Sequence, residues 1–155
     1  MGAMMTKNST EQLMHTYLTD IAVAGNLDLI DELFHPDLVD EAAIAFGGPQ
    51  GRKGLYGHVI EFRKHITNPT VTIENIIGND DQVMAQWSFS GIHDGPWLNQ
   101  PPTHQEISGT VFSYFTVKNG LVTRYRLWLC AKFDRVVTYD SSLPLDQQGL
   151  ASSNG

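Results

Sequence analysis

Asp40 and Glu41 are adjacent carboxylates, followed by the apolar run Ala42-Ala43-Ile44-Ala45-Phe46. A carboxylate drawn into apolar surroundings keeps its proton to higher pH and becomes a competent general base. Left at the surface, the same pair is two solvated charges. His93 stands in Gly91-Ile92-His93-Asp94-Gly95. Its imidazole, with a pKa near ~6.5, can exchange protons with a substrate, or it can tie a turn by bonding to backbone carbonyls. His104 and Glu106 would share one face of an extended chain, as a base oriented by a carboxylate or as a solvated loop edge. His58 lies beside Leu55, Val59 and Phe62 at helical spacing. It reads as a boundary histidine or as a pocket acid or base. Tyr17 and Tyr125 carry phenols that can donate to a substrate carbonyl or pack in the core.

Large aromatic side chains accompany these groups. Trp87, Trp97, Phe112 and Phe115 can wall an apolar cavity or serve as ordinary core. Trp97 sits in Gly95-Pro96-Trp97-Leu98-Asn99-Gln100-Pro101-Pro102-Thr103, where glycine shapes the chain and the prolines stiffen its return. A shaped loop with an exposed ring reads as a lid. The expected substrate contacts are Tyr17, His58, Phe62, Trp87, Trp97, Phe112, Ser113 and Leu127.

These groups need elements to hold them. Ser9 with Gln12 resembles a capping box, and Leu13, Tyr17, Ile21 and Ala24 recur at helical spacing, so a helix is expected over 10–24, ended by Gly25. A short second helix runs from Asn26 through Phe34, before Pro36. Residues 37–50 have no clean period. A third helix follows Gly54 and stops at Asn68-Pro69. Strands are expected at 71–77, 82–92, 106–118 and 121–133, with Asn119-Gly120 as a two-residue hairpin turn. Helices first and a meander after them make an α+β layout. Along 121–133 the odd positions are almost all apolar and should meet the helices. The even positions carry Arg124, Arg126 and Trp128, which suits a partner surface, so a homodimer through the outer sheet face is expected.

The 155 residues suffice for one domain, assigned to 9–134. Residues 1–8 read as a cloning remnant and disordered start, and 135–155 as a mobile extension. Apolar residues at 41 % and charged residues at 17 % suit a compact chain, and the net charge of −7 disfavours nucleic acid. No run approaches the roughly 20 apolar residues that span a bilayer, and no secretory leader is evident, so a cytoplasmic location is expected. One cysteine and six scattered histidines give no metal-site spacing, and no phosphate loop or dinucleotide fingerprint occurs. No cofactor or metal is expected.

The order of several motifs resembles the SnoaL-like polyketide cyclases, within the cone-shaped superfamily of nuclear transport factor two, ketosteroid isomerase and scytalone dehydratase. The likeness runs over roughly 10–134. Its residues are Gly25-Asn26-Leu27-Asp28, Leu33-Phe34-His35-Pro36-Asp37-Leu38-Val39-Asp40, Gly54–Arg63, Val71-Thr72-Ile73-Glu74, Gly78-Asn79-Asp80-Asp81-Gln82-Val83, Trp87 and Gly91–Thr103. The family writes that last loop as Gly-Thr-His-x-Gly, an aromatic two residues on, then Pro-Pro-Thr-Gly; His104 stands at the final Gly. The resemblance implies a cone-shaped, curved antiparallel sheet packed on three N-terminal helices. It also implies cofactor-free cyclase or isomerase chemistry, with hydrolysis or dehydration as neighbouring options, on a small apolar cyclic or polyketide-like molecule. Many members carry an acid–base Asp on the last strand. Here Leu127 occupies that position, or Cys130 by a second pattern. The acid–base role therefore falls to Asp40, Glu41, His93, His104 or Tyr125, or else the fold is a non-catalytic binding module.

Overall fold

The structure, a computed structural model, describes residues 9–41, 50–98, 100–133 and 136–140. The apolar run 42–46, Gly47-Gly48-Pro49, the start at 1–8 and the tail from 141 lie outside the described residues.

Helix α1 (Ser9–Thr16) passes directly into a π-helical stretch, Tyr17–Val23. The expected single helix is thus unwound into a wider turn halfway along. Tyr17, Leu18, Ile21 and Ala22 form its buried side. Gly25, at φ 79°, ends it, and a side chain there would collide with the Arg63 guanidinium. Helix α2 is short (Asp28–Leu33).

From Phe34 the chain departs from the expected helix and aperiodic linker. Phe34–Asp40 is a strand, β1, that pairs in parallel with β5 (Leu121–Lys132). The sheet is therefore mixed rather than purely antiparallel. Pro36 has no N–H to give a ladder, so β1 can only be an edge strand, and its register shifts between Phe34 and Val39. Helix α3 (Arg52–His65) buries Leu55 and Val59 and leads straight into β2 (Ile66–Gly78). Asn68 takes up a positive φ of 51° where the strand register shifts before Pro69.

β3 (Gln82–His93), β4 (Glu106–Lys118) and β5 form an antiparallel meander, giving the order β1-β5-β4-β3-β2. Asn119 and Gly120 both have positive φ (53° and 79°), the backbone that a two-residue hairpin requires. The outer edge of β5 is shared: β1 covers residues 122–125 and β6 (Val136–Asp140) covers 128–132. β6 falls inside the stretch expected to be an extension. The result is the α+β cone: a curved, unclosed sheet whose inner face meets the helices.

Strict alternation builds that inner face. Val83, Ala85, Trp87 and Phe89 of β3 are buried, as are Val111, Ser113 and Phe115 of β4 and Tyr125, Leu127, Leu129 and Ala131 of β5. α1 supplies Leu13 and Met14, the π-helical stretch Leu18 and Ile21, and α3 Leu55 and Val59 against it. No helix among the described residues is long and apolar enough to cross a membrane.

Candidate functional site

Between the sheet and α3 the chain leaves a cavity of about 60 Å³. Its wall comes from the π-helical stretch (Tyr17, Ala22), α3 (His58, Val59, Phe62), β3 (Trp87, Phe89), β4 (Val111), β5 (Tyr125, Leu127, Leu129) and the 94–105 loop (Trp97). A larger groove of about 490 Å³ lies on the outer sheet face, lined by hydroxyls such as Thr72, Ser88, Ser90 and Thr110. Among the described residues its titratable lining side chains are Cys130 and Lys132, whereas the inner cavity is lined by His58, Tyr17 and Tyr125.

The parallel pairing of β1 with β5 sets Asp40 directly beside Tyr125. The Asp40 carboxylate is fully buried, and its Oδ2 lies 3.3 Å from Nδ1 of His58 on α3. A carboxylate at Nδ1 selects the tautomer with the proton there and leaves Nε2 as the acceptor. His58, not Asp40, forms part of the cavity wall, and its ring centroid is 5.4 Å from that of Tyr125. Glu41 takes the opposite direction. Its Oε2 accepts from Arg124 Nε at 2.7 Å and Nη2 at 2.6 Å, while Oε1 accepts from Arg126 Nε at 3.2 Å. Arg126 also lies over the Trp128 ring at 5.1 Å.

Tyr17 and Tyr125 meet hydroxyl to hydroxyl at 3.4 Å, at the centre of an edge-to-face cluster with Phe34 and Phe115. Burial pushes the Tyr125 phenol up to about 12, against hydrogen bonds from Ser113 and Tyr17 that pull it down; the nearby Asp40 charge adds to the rise. Tyr17 is raised well above the ordinary phenol range by burial first, then by Tyr125 and Asp40. Both stay protonated across the physiological range.

The loop histidines sit elsewhere. His93 is fully buried at the end of β3 but does not line the cavity. Its Nδ1 accepts from the Thr103 N–H at 3.3 Å and lies 3.2 Å from the Thr103 hydroxyl, and its ring packs edge-on against Phe133 at 5.0 Å. Nε2 has no partner of hydrogen-bond geometry among the described residues. Burial lowers the pKa of His93, partly offset by the backbone carbonyls of Gln100 and Gly95 and by Asp94. His104 does not pair with Glu106 and lies exposed at the loop edge. Its φ of 57° breaks the extended run that would put the two on one face, and its Nδ1 meets Asp94 Oδ1 at 3.1 Å on the surface. Phe112 is 40 % exposed on the outer face. Since Val111, Ser113 and Phe115 turn inward, alternation sends Phe112 out, and it cannot wall the cavity.

Trp97 contributes to the wall as part of a fixed turn. Its N–H donates to Gln100 O at 3.1 Å, and Gln100 N–H donates back at 2.9 Å. Its ring meets Phe89 at 5.5 Å and Phe62 at 5.8 Å. The loop is pinned to α3 through the His65 carbonyl, which accepts from Asp94 and Gly95, and through His65 Nδ1 against the Pro96 carbonyl. Ala22, Val59, Phe89, Val111 and Leu129 were not among the expected contacts, and Ser113, which was, lies behind the wall rather than in it. Alternation from Val83 through Trp87 would have indicated Phe89.

The fold is a cone with an inner pocket, a scaffold that by itself fixes no single function. The chain belongs to the SnoaL-like polyketide cyclase family, whose model matches residues 12–129. No curated protein matches it in sequence. Among solved structures it is similar to TsrD from Streptomyces laurentii (TM-score 0.70, 19 % identity, covering 80 % of this chain and 90 % of that one). It is also similar to a SnoaL-like polyketide cyclase from Agrobacterium tumefaciens (0.66, 12 %, 82 % and 93 %) and to IdmH from Streptomyces antibioticus (0.62, 21 %, 81 % and 93 %). At these identities the likeness is one of fold.

Proposed function

We propose that this chain is a cofactor-independent cyclase or isomerase that forms an enolate next to a carbonyl of a small, apolar cyclic or polyketide-like molecule. His58 is the acid–base group: Nε2 takes the α-proton, Asp40 stabilises the imidazolium through Nδ1, and the same imidazolium returns the proton. Tyr125, backed by Tyr17, donates to the oxygen on which negative charge develops. The observation that carries this reading is the pairing of buried Asp40 with half-buried His58 at 3.3 Å, on the wall that Tyr17 and Tyr125 also line. Two sets of titratable groups within reach of one another around one cavity favour turnover over carriage.

A second reading has its own support. Leu127, at the position of the family's usual Asp, lines the cavity, and an apolar wall there suits a binding module without turnover. At about 60 Å³ the cavity is also far smaller than the roughly 300–1,000 Å³ of a ligand pocket, so a substrate has to displace Trp97 to enter.

Proton exchange separates the two. The chain is incubated in deuterium oxide with a panel of small cyclic ketones and 1,3-dicarbonyls, and loss of α-proton signal is followed by NMR. Exchange that disappears in His58→Gln supports the enzyme. Binding of panel members without exchange supports the module.

The chain is further proposed to pair through the outer sheet face. Phe112 and Met84 are exposed there, with Phe112 opposite Trp128 in the ladder. A monomer at micromolar concentration by light scattering overturns this.

A further inference from the structure

Trp87 and Ser113 take no part in the chemistry proposed above, yet both are buried and bonded to it. Trp87 Nε1 donates to Ser113 Oγ at 3.0 Å, and Ser113 Oγ lies 3.4 Å from the Tyr125 hydroxyl. An indole N–H is a donor only. It therefore fixes Ser113 as the acceptor on one side. Ser113 is fully buried, so its own hydroxyl proton must find an acceptor or lose a bond's worth of solvation. Tyr125 Oη is the acceptor within reach. On its other side Tyr125 receives the Tyr17 hydroxyl, which donates to it at 3.4 Å. Two bonds thus arrive at Tyr125 Oη, and its own proton is left to give away.

We propose that Trp87 and Ser113 are positioning residues that set the direction of this chain, so that Tyr125 is held as a hydrogen-bond donor to a ligand oxygen that carries negative charge. The proposal rests on the enolate reading of the cavity. The titration of the phenols agrees with the direction. The bonds from Ser113 and Tyr17 favour the Tyr125 phenolate, as bonds arriving at that oxygen must, whereas the bond to Tyr125 raises Tyr17, as giving up a donated proton must. At 3.4 Å both hydroxyl contacts are long, so the chain has room to shorten as charge develops on a ligand. Each link polarises the next, so a donor two residues away strengthens the terminal bond. Without Trp87, Ser113 can turn to accept from Tyr125, and the chain then runs the wrong way.

The test uses para-nitrophenolate as an oxyanion probe and para-nitrotoluene as its neutral counterpart of similar shape. Both are titrated into the full chain above the pKa of the phenol. Tyr125→Phe should weaken para-nitrophenolate binding by about tenfold or more, the scale of a bond to a charged group. Trp87→Phe and Ser113→Ala should each weaken it by about threefold to tenfold, the scale of a neutral bond. Ser113→Ala should not move para-nitrotoluene, whereas Trp87→Phe, which also trims the cavity wall, should cost the phenolate more than it costs para-nitrotoluene; Ser113→Thr, which keeps the hydroxyl, should restore the phenolate affinity. Ser113→Ala removes only an oxygen, so it keeps the test open should Trp87→Phe fold poorly. If Tyr125→Phe weakens the phenolate but Trp87→Phe and Ser113→Ala do not, the directing chain is overturned while the enolate reading stands. Equal losses for both probes make the two residues packing only and overturn it too. Failure of the wild-type chain to bind para-nitrophenolate overturns the oxyanion subsite, and the directing chain with it.

Discussion

The Asp40 carboxylate, fully buried, stands 3.3 Å from Nδ1 of His58, while Glu41, the very next residue, turns away to Arg124 and Arg126. Asp40 is the last residue of β1 and Glu41 the first beyond it, so one step along the chain separates the partner proposed for His58 from a structural ion pair.

That contrast makes a first prediction. Asp40→Asn keeps the shape but no longer selects the Nδ1–H tautomer or balances the imidazolium. It should lower α-proton exchange by about 10²–10⁴-fold. Glu41→Gln should leave exchange within about twofold and instead lower the urea midpoint, at a cost of about 1 kcal/mol, because Arg124 and Arg126 can still reach solvent. If Glu41→Gln lost exchange and Asp40→Asn did not, the partner of the His58 base would have been assigned to the wrong carboxylate.

How much of this could be read beforehand depends on which forces are local. The α3 helix, the β3–β5 meander and the Asn119-Gly120 hairpin follow from short-range periodicity and turn chemistry, and each is present. β1 was hidden because its pattern is interrupted by Pro36 and its partner, β5, lies more than eighty residues away. The Asp40–His58 pair was hidden for the same reason: only the packing of α3 on the β1 end of the sheet joins them. The π-helical stretch has no signal in the sequence, yet it brings Tyr17 to Tyr125. Of Phe112 and Ser113, adjacent on one strand, only one could face inward; alternation could exclude the pair but not choose between them without the register.

His104 explains a departure from the family pattern. The family writes glycine at this position, and here the backbone holds φ at 57°, where a side chain is strained. His104→Gly should remove that strain, worth about 1–2 kcal/mol for an ordinary residue, against about 0.5–1 kcal/mol of added chain entropy. A rise in thermal midpoint is the expected outcome, since the Asp94 contact given up lies at the surface. A fall would mean that the Asp94 contact outweighs the backbone.

His93 should impose a pH dependence on stability. Burial holds its pKa in the folded chain below the usual value, while the unfolded chain titrates near 6.5. As pH falls through the unfolded pKa, the unfolded state takes up a proton that the folded state refuses, so its contribution is intact above that pH and is lost down to the folded pKa. Urea unfolding at about pH 7.5 and about pH 5.5 measures it. His93→Gln should be less stable than the wild type at the higher pH, because the Thr103 bond is altered, but should lose less on going to the lower one. Equal losses in both chains would assign the acid sensitivity to other groups.

Trp97 should govern access to the cavity. Its ring closes the wall against Phe62 and Phe89 on a loop, whereas every other wall residue stands on a helix or strand. Trp97→Ala removes that ring without touching the Asp40–His58 pair. It should lower stability by about 2 kcal/mol, less than a core Trp because the ring is only half-buried. It should also speed the association of para-nitrotoluene in stopped-flow measurements, because a ligand need no longer wait for the ring to swing out. The stability loss alone would be expected of any large aromatic. Faster association belongs to a lid, and an unchanged association rate would place the way in elsewhere on the wall.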